Sequence, residues 1–225
     1  LTAPKALSTV STANWDLSVW EGAALSETNV RQASNTKSKE MKTLEFGDPV
    51  VVVEWVAGEE VYEGANIWGK LKDGTFVYAR NVGRHAPVAA TPIPGDAPTY
   101  GKWIDINLTQ QLMVAYDGTK VARVSVMTAG MPGHETPTGY FAINSRVANE
   151  TMKAGTPGAD GYYNLANCLF TQYFTEYGHA IHFAWWRTPE TIGRPGSHGC
   201  INLLLDESQF YWDWATIGTP VIVHK

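Results

Sequence analysis

Short apolar runs that alternate with polar positions, each closed by Gly, Asp or Pro, recur along most of this chain. That two-residue period predicts strands. "PVVVVEWV", Pro49 to Val56, is β-branched and strand-forming. "IWGKL" and "FVYA" flank Lys72-Asp73-Gly74-Thr75, a hairpin signal because Gly tolerates the positive φ of tight turns. "WIDINL", "QLMVAY" and "KVARVSVMT" follow one another around Asp117-Gly118 and predict a meander, and "PVIVH" a closing strand. One helix is expected. It has Asp206 as N-cap, Gln209 three residues on, an apolar face through Phe210, Trp214 and Ile217, and Gly218 with Pro220 to end it.

The alternation lapses in "RHAPVAATPIPGDAPTYG", where Pro87, Pro92, Pro94 and Pro98 sit among small residues. Proline fixes φ and lacks an amide donor, so an extended connector is expected. We therefore expect a module over 1–85, a linker over 86–101 and a second domain over 102–225. Several short strands close most simply as a small barrel in the first. The stretch "ALSETNVRQASNTKSKEMKTLEFGDPVVVVEWV", with "WGKL" and "DGTFVYARNV", resembles bacterial SH3-like domains of cell-wall enzymes, although the Gly-Pro often found after Arg31 is missing. The fold class expected is all-β dominated: an SH3-like barrel, then a second β domain with one principal helix.

Composition narrows the function classes. A hydrophobic share of 44% with nine Trp, ten Tyr and seven Phe can build packed cores. A net charge of −5 without a basic run gives no support to nucleic-acid or anionic-membrane binding. No apolar run approaches the roughly 18 residues of a membrane span. The sequence opens at Leu1 without a signal pattern, so a removed targeting segment or a trimmed chain is expected. Two cysteines, Cys168 and Cys200, are too few for a disulfide scaffold but enough for one bridge.

The chemistry concentrates in "RPGSHGCINL", Arg194 to Leu203. A free thiol is mostly protonated at neutral pH, and a histidine that takes its proton leaves the nucleophilic thiolate. Two histidines compete for that role. His198, two residues from Cys200, shares its face but has little freedom to reach the sulfur. His182, in the strand-like "HAIHFAWW", can aim across from a neighbouring strand and is the favoured base, with His198 in support. Gly199 has no side chain, so a carbonyl can approach the Gly199 and Cys200 amides closely. Amides aimed at a developing oxyanion typically account for about 10²–10³ in rate.

His182, fourteen intervening residues and then "SHGCIN" resemble the signature of the L,D-transpeptidase catalytic domain. "WIDINLTQQLMVAYDGTKVARVSVMTAG", "TPTGYF" and "GTPVIV" extend the resemblance over Trp103 to His224. It implies a β-sandwich enzyme of the bacterial envelope, an acyltransferase of peptidoglycan with no cofactor. Its cysteine attacks a stem peptide on the carbonyl side of a diamino acid at position three. An amine of a second stem then resolves the acyl-enzyme into a 3→3 cross-link. By position, Cys200 would be the nucleophile, His182 the base and Gly199 part of the oxyanion hole. His198, Ser197 and Asn202 frame the site, while Thr136, Thr138 and Trp186 border the substrate. A carbapenem is the implied acylating inhibitor. Phe183 departs from the glycine many members carry after the base. Water as acceptor, giving an L,D-carboxypeptidase, and a non-catalytic wall-binding protein are the alternatives.

Plainer readings stand beside these. Cys200 as an inert or bridged thiol is one, and Cys168 as a small core residue is another. His179, His182, His198 and Cys200 contain four potential zinc ligands, yet positions three apart in a strand point to opposite faces, so no metal is expected. His179 then reads as a satisfied histidine. Trp212 and Trp214 are expected in the core, as are Trp55, Trp68 and Tyr78 of the first module.

Overall fold

The computed structural model describes residues 19–62, 65–83, 94–157, 162–189 and 191–225. In the first module β1 (Trp20–Ala24), β2 (Thr28–Arg31), β3 (Glu40–Leu44), β4 (Pro49–Tyr62), β5 (Ala65–Leu71), β6 (Phe76–Tyr78) and β7 (Val82–Gly83) form one antiparallel sheet. Its order is β3-β2-β6-β5-β4-β1-β7. The sheet curls over Trp20, Val30, Val50, Val52, Leu71, Val77 and Val82. The expected hairpin joins β5 to β6: Leu71 donates its amide to the Thr75 carbonyl, Gly74 takes φ +83°, and Asp73 accepts from the Thr75 amide. Trp68 and Tyr78 are buried as expected, and Trp55 is packed against the core from its margin. The first eight residues of the expected linker lie outside the described residues; from Pro94 to Gly101 the chain runs through turns and bends.

The second half begins with β8 (Lys102–Asn107), β9 (Leu112–Asp117) and β10 (Lys120–Val126), the expected meander. It continues through β11 (Gly139–Ala142), β12 (Ser145–Ala154), β13 (Tyr163–Tyr173), β14 (Ala180–Phe183), β15 (Ile201–Leu203), α1 (Leu205–Trp214) and β16 (Pro220–His224). Two sheets result, ordered β10-β9-β8-β16-β11 and β12-β13-β14-β15. Ile104, Ile106, Met113, Val221 and Val223 from one sheet meet Ile181, Ile201 and Leu203 from the other, with Tyr211 of α1 between them.

Two expectations need correction. The alternation in β8 does not separate a core face from a wet one, because Trp103 through Asn107 are all buried. On one face Trp103 stacks on Tyr116 at 4.4 Å, and buried Asp105 receives His224 Nε2 at 2.9 Å. The helix starts earlier than its acidic residues suggested. Leu204 is the N-cap without a side-chain bond, and Asp206 sits inside the first turn, where it complements the helix dipole. The helix ends at Trp214, so Ile217 lies beyond it, 64% exposed.

Candidate active site

β14 and β15 pair in parallel, with Ile181 opposite Ile201, His182 opposite Asn202 and Phe183 opposite Leu203. Parallel neighbours need a crossover connection, and here residues 184–200 supply it, ending in the Ser197–Cys200 turn. Side chains two apart on a strand share a face. His182, Asn202 and, just before β15, Cys200 therefore face one cavity of about 400 Å³, which all three line. The Thr128–Asn202 pair of amide–carbonyl bonds, at 2.8 and 3.0 Å, fastens the other side of β15.

His182 is buried, and its protonation state follows from its neighbours. Nδ1 lies 2.8 Å from the Phe183 carbonyl. A carbonyl only accepts, so Nδ1 carries the proton and Nε2 presents a lone pair to the Asn202 side-chain amide at 3.0 Å. Burial, and secondarily Arg187, push the imidazole down to about 4, against the carbonyl's opposing effect. The ring is neutral and held by a backbone carbonyl, and among the described residues no carboxylate pairs with it.

Cys200 is a free thiol, half-buried at the residue level, that faces the Gly178 carbonyl at 3.7 Å. Burial pushes it up to about 11, opposed by the Ala180 amide. The resting pair is thus neutral thiol and neutral imidazole. Cys200 stands two positions before Asn202, about 6.6 Å along the chain direction, and Asn202 is the residue opposite His182, so thiol and imidazole lie diagonally across the strand pair.

The turn before the thiol is built from small polar parts. Gly199 adopts φ +113°, and a Cβ there would stand 2.8 Å from the His179 ring, so glycine is required twice over. Its amide donates to Ser197 Oγ at 3.1 Å, and that hydroxyl donates to the Cys200 carbonyl. Thr136 Oγ1 donates to the Gly199 carbonyl at 2.8 Å and receives the Gly130 amide. In the resting geometry the Gly199 amide is consequently engaged by Ser197 rather than open to the cavity.

Ser197, His198 and Trp186 also line the cavity, Trp186 with its ring 5.9 Å from that of His182. His198 is exposed and packs beside His134 and Tyr163. Thr136 buttresses the turn from behind. Thr138 is exposed and is not among the lining residues, because the chain turns outward into β11 there. His179 is satisfied by Thr175 at 2.9 Å. Both cysteines are free, Cys168 buried against Met152 and Ala180 in the cluster that Cys200 borders.

Sequence reasoning missed two contributors. The β12–β13 hairpin brings Met152, Tyr163 and Leu165 over the cavity. Arg187 and Arg194 line it too, and Arg187 Nε reaches Asn202 Oδ1 at 3.3 Å. The signal for Arg187 was present: an arginine closing the aromatic run "HFAWWR", five residues after His182 and beyond the end of β14.

Comparisons with known proteins give the family and the fold. A family model described as the L,D-transpeptidase catalytic domain matches residues 101–223. L,D-transpeptidase 1 of Mycobacterium tuberculosis is 32% identical over 109 residues, which are 46% of this chain and 43% of the relative. The chain thus matches less than half the length of that curated relative. Among solved structures, the L,D-transpeptidase LdtMt1 in complex with imipenem aligns with a TM-score of 0.53 at 16% identity over 92% of this chain and 82% of that one. An L,D-transpeptidase from Mycobacterium smegmatis gives 0.53 at 19% identity over 79% and 90%. At these identities the structures speak for fold.

Proposed function

The chain belongs to the L,D-transpeptidase catalytic-domain family, and on that premise we propose that it forms 3→3 peptidoglycan cross-links through an acyl-enzyme on Cys200, outside the cytoplasm at the cell envelope. The observation that carries the reading is the shared cavity of Cys200 and the carbonyl-anchored, neutral His182. The Cys200 sulfur attacks the diamino-acid carbonyl of the donor stem while His182 Nε2, exchanging its bond from the Asn202 amide, takes the thiol proton. The Cys200 amide holds the oxyanion, joined by the Gly199 amide as its long bond to Ser197 is exchanged. Collapse breaks the carbon–nitrogen bond, and His182 returns its proton to the departing amine. The side-chain amine of a second stem then attacks the thioester, His182 receives its proton, and the thiol is regenerated as the cross-link forms.

The family's relatives include one solved with imipenem, so a carbapenem is the direct probe. Intact-mass measurement of the treated protein is expected to show one adduct, absent in Cys200→Ala. An adduct that survives that substitution removes Cys200 from the reaction. Incubation with stem tetrapeptides separates transpeptidation, which yields cross-linked dimer, from carboxypeptidation, which yields tripeptide alone.

A further inference from the structure

The cavity beside Cys200 is not lined by the catalytic half alone. Ala65, Ile67, Tyr78 and Arg80 of the first module form one of its walls. Two bonds tie that module to the loop leading to the thiol and a third ties it to the β8–β9 turn. Trp20 Nε1 donates to the Gly193 carbonyl, Arg194 Nη1 to the Val82 carbonyl and Gln110 Nε2 to the Val19 carbonyl.

Charge in the cavity runs against the chain as a whole. The protein carries a net −5, yet the described lining residues include Arg80, Arg187 and Arg194 and neither an Asp nor a Glu. Arg187 is held by Asn202 Oδ1 and the Gly196 carbonyl, neither of which bears a charge. Arg80 is exposed and lies over the Tyr62 ring, its guanidinium carbon 5.3 Å from the ring centre. Among the described residues, no carboxylate forms an ion pair with Arg80 or Arg187. Burial, with the nearby Arg80 charge adding to it, holds Arg187 down to about 10. Gathering guanidinia without a counter-charge costs stability unless a ligand supplies one.

We propose that Arg80 and Arg187 form a carboxylate-binding subsite for the donor stem, assembled across the boundary between the two halves, so that the first module takes part in substrate recognition. A planar guanidinium fork matches a carboxylate in charge and geometry. The surrounding Ile67, Tyr78, Met131 and Met152 give the apolar walls usual in a peptide pocket. The proposal rests on the donor-stem reading above. It admits two sources for the anion: the terminal carboxylate of residue four, which leaves with the departing amine, and a carboxylate on the diamino acid.

Calorimetric binding to the Cys200→Ala protein tests it without turnover. Three synthetic tetrapeptide stems are compared: the full acid, its C-terminal amide and its diamino-acid side-chain amide. One amidation is expected to weaken binding about tenfold, as loss of a charge-assisted pair should, and identifies which carboxylate is held. Adding Arg80→Ala should erase that difference, and Arg80→Lys should keep part of it. Because Arg80 is exposed, its replacement leaves both cores intact. Equal binding of all three stems, or an Arg80→Ala loss shared equally by acid and amides, overturns the subsite. Carbapenem acylation of the unmutated protein reports on Cys200 separately. A chain that acylates but does not discriminate among the stems keeps its enzyme assignment and loses this one.

Discussion

The two halves of the molecule bury different things. In the first, the described buried residues are apolar with Thr28 as the one polar exception, whereas the second buries Asp105, Gln110, Gln111, Thr128, Thr136, Gln172, His182, Ser197 and Asn202. Burying polar groups costs free energy unless each finds a partner. Three of these, His182, Ser197 and Asn202, line the cavity, where His182, Asn202 and Arg187 hold one another in a chain of hydrogen bonds. The first half's core is held by apolar packing, and only its margin, at Ala65, Ile67, Tyr78 and Arg80, reaches the cavity. The second half is organised around a cavity that holds a thiol and an imidazole whose ordinary titration burial has suppressed.

That contrast can be broken at its strongest point by His182→Gln. We expect carbapenem acylation of Cys200 to slow about 10²–10⁴-fold, the range for losing a positioned base, with the thermal midpoint measured alongside as a control. A rate within a few-fold of the unmutated protein would make His182 one more buried polar group.

Next comes pH. His182 stays neutral above about 4 and Cys200 stays a thiol below about 11. Between those values the competent pair is present throughout, and activity is lost as acid protonates the imidazole. The acylation rate should vary less than about threefold from pH 5 to 9, with no step at the ordinary histidine value near 6.5 or the ordinary thiol value near 8.5. The direction for stability is the same. His182 titrates lower when folded than when unfolded, so its neutral burial is fully tolerated above about 6.5 and increasingly destabilising as pH falls toward about 4.

The smallest effect on chemistry is expected from Leu71→Ala in the first core. It should cost about 2–5 kcal/mol in denaturant unfolding while carbapenem acylation changes less than about twofold. A matching fall in acylation would show that the scaffold and the reacting pair are not separable.

Legibility followed sequence distance. The hairpin at Asp73-Gly74 and the meander around Asp117-Gly118 were readable because turn chemistry is local. The β12–β13 hairpin was not, since most of β12 is exposed and its apolar positions keep no two-residue period. Asp206 misled because an acidic residue suits both an N-cap and the first turn. Within the site, the meeting of the Ser197–Cys200 turn with the His182 strand at one cavity was legible as a spacing. Arg80 was beyond reach, because its place at the cavity depends on how one half rests against the other.

The placement of β16 carries a consequence for the order of assembly. It lies between β8 and β11, parallel to one and antiparallel to the other. Those two strands, more than thirty residues apart, share no ladder with each other and are joined in the sheet through Pro220–His224. A nascent chain arrested before that point holds a three-stranded fragment and an orphan, both with unpaired edges. The last strand acts as a keystone, and productive folding of this half must wait for it.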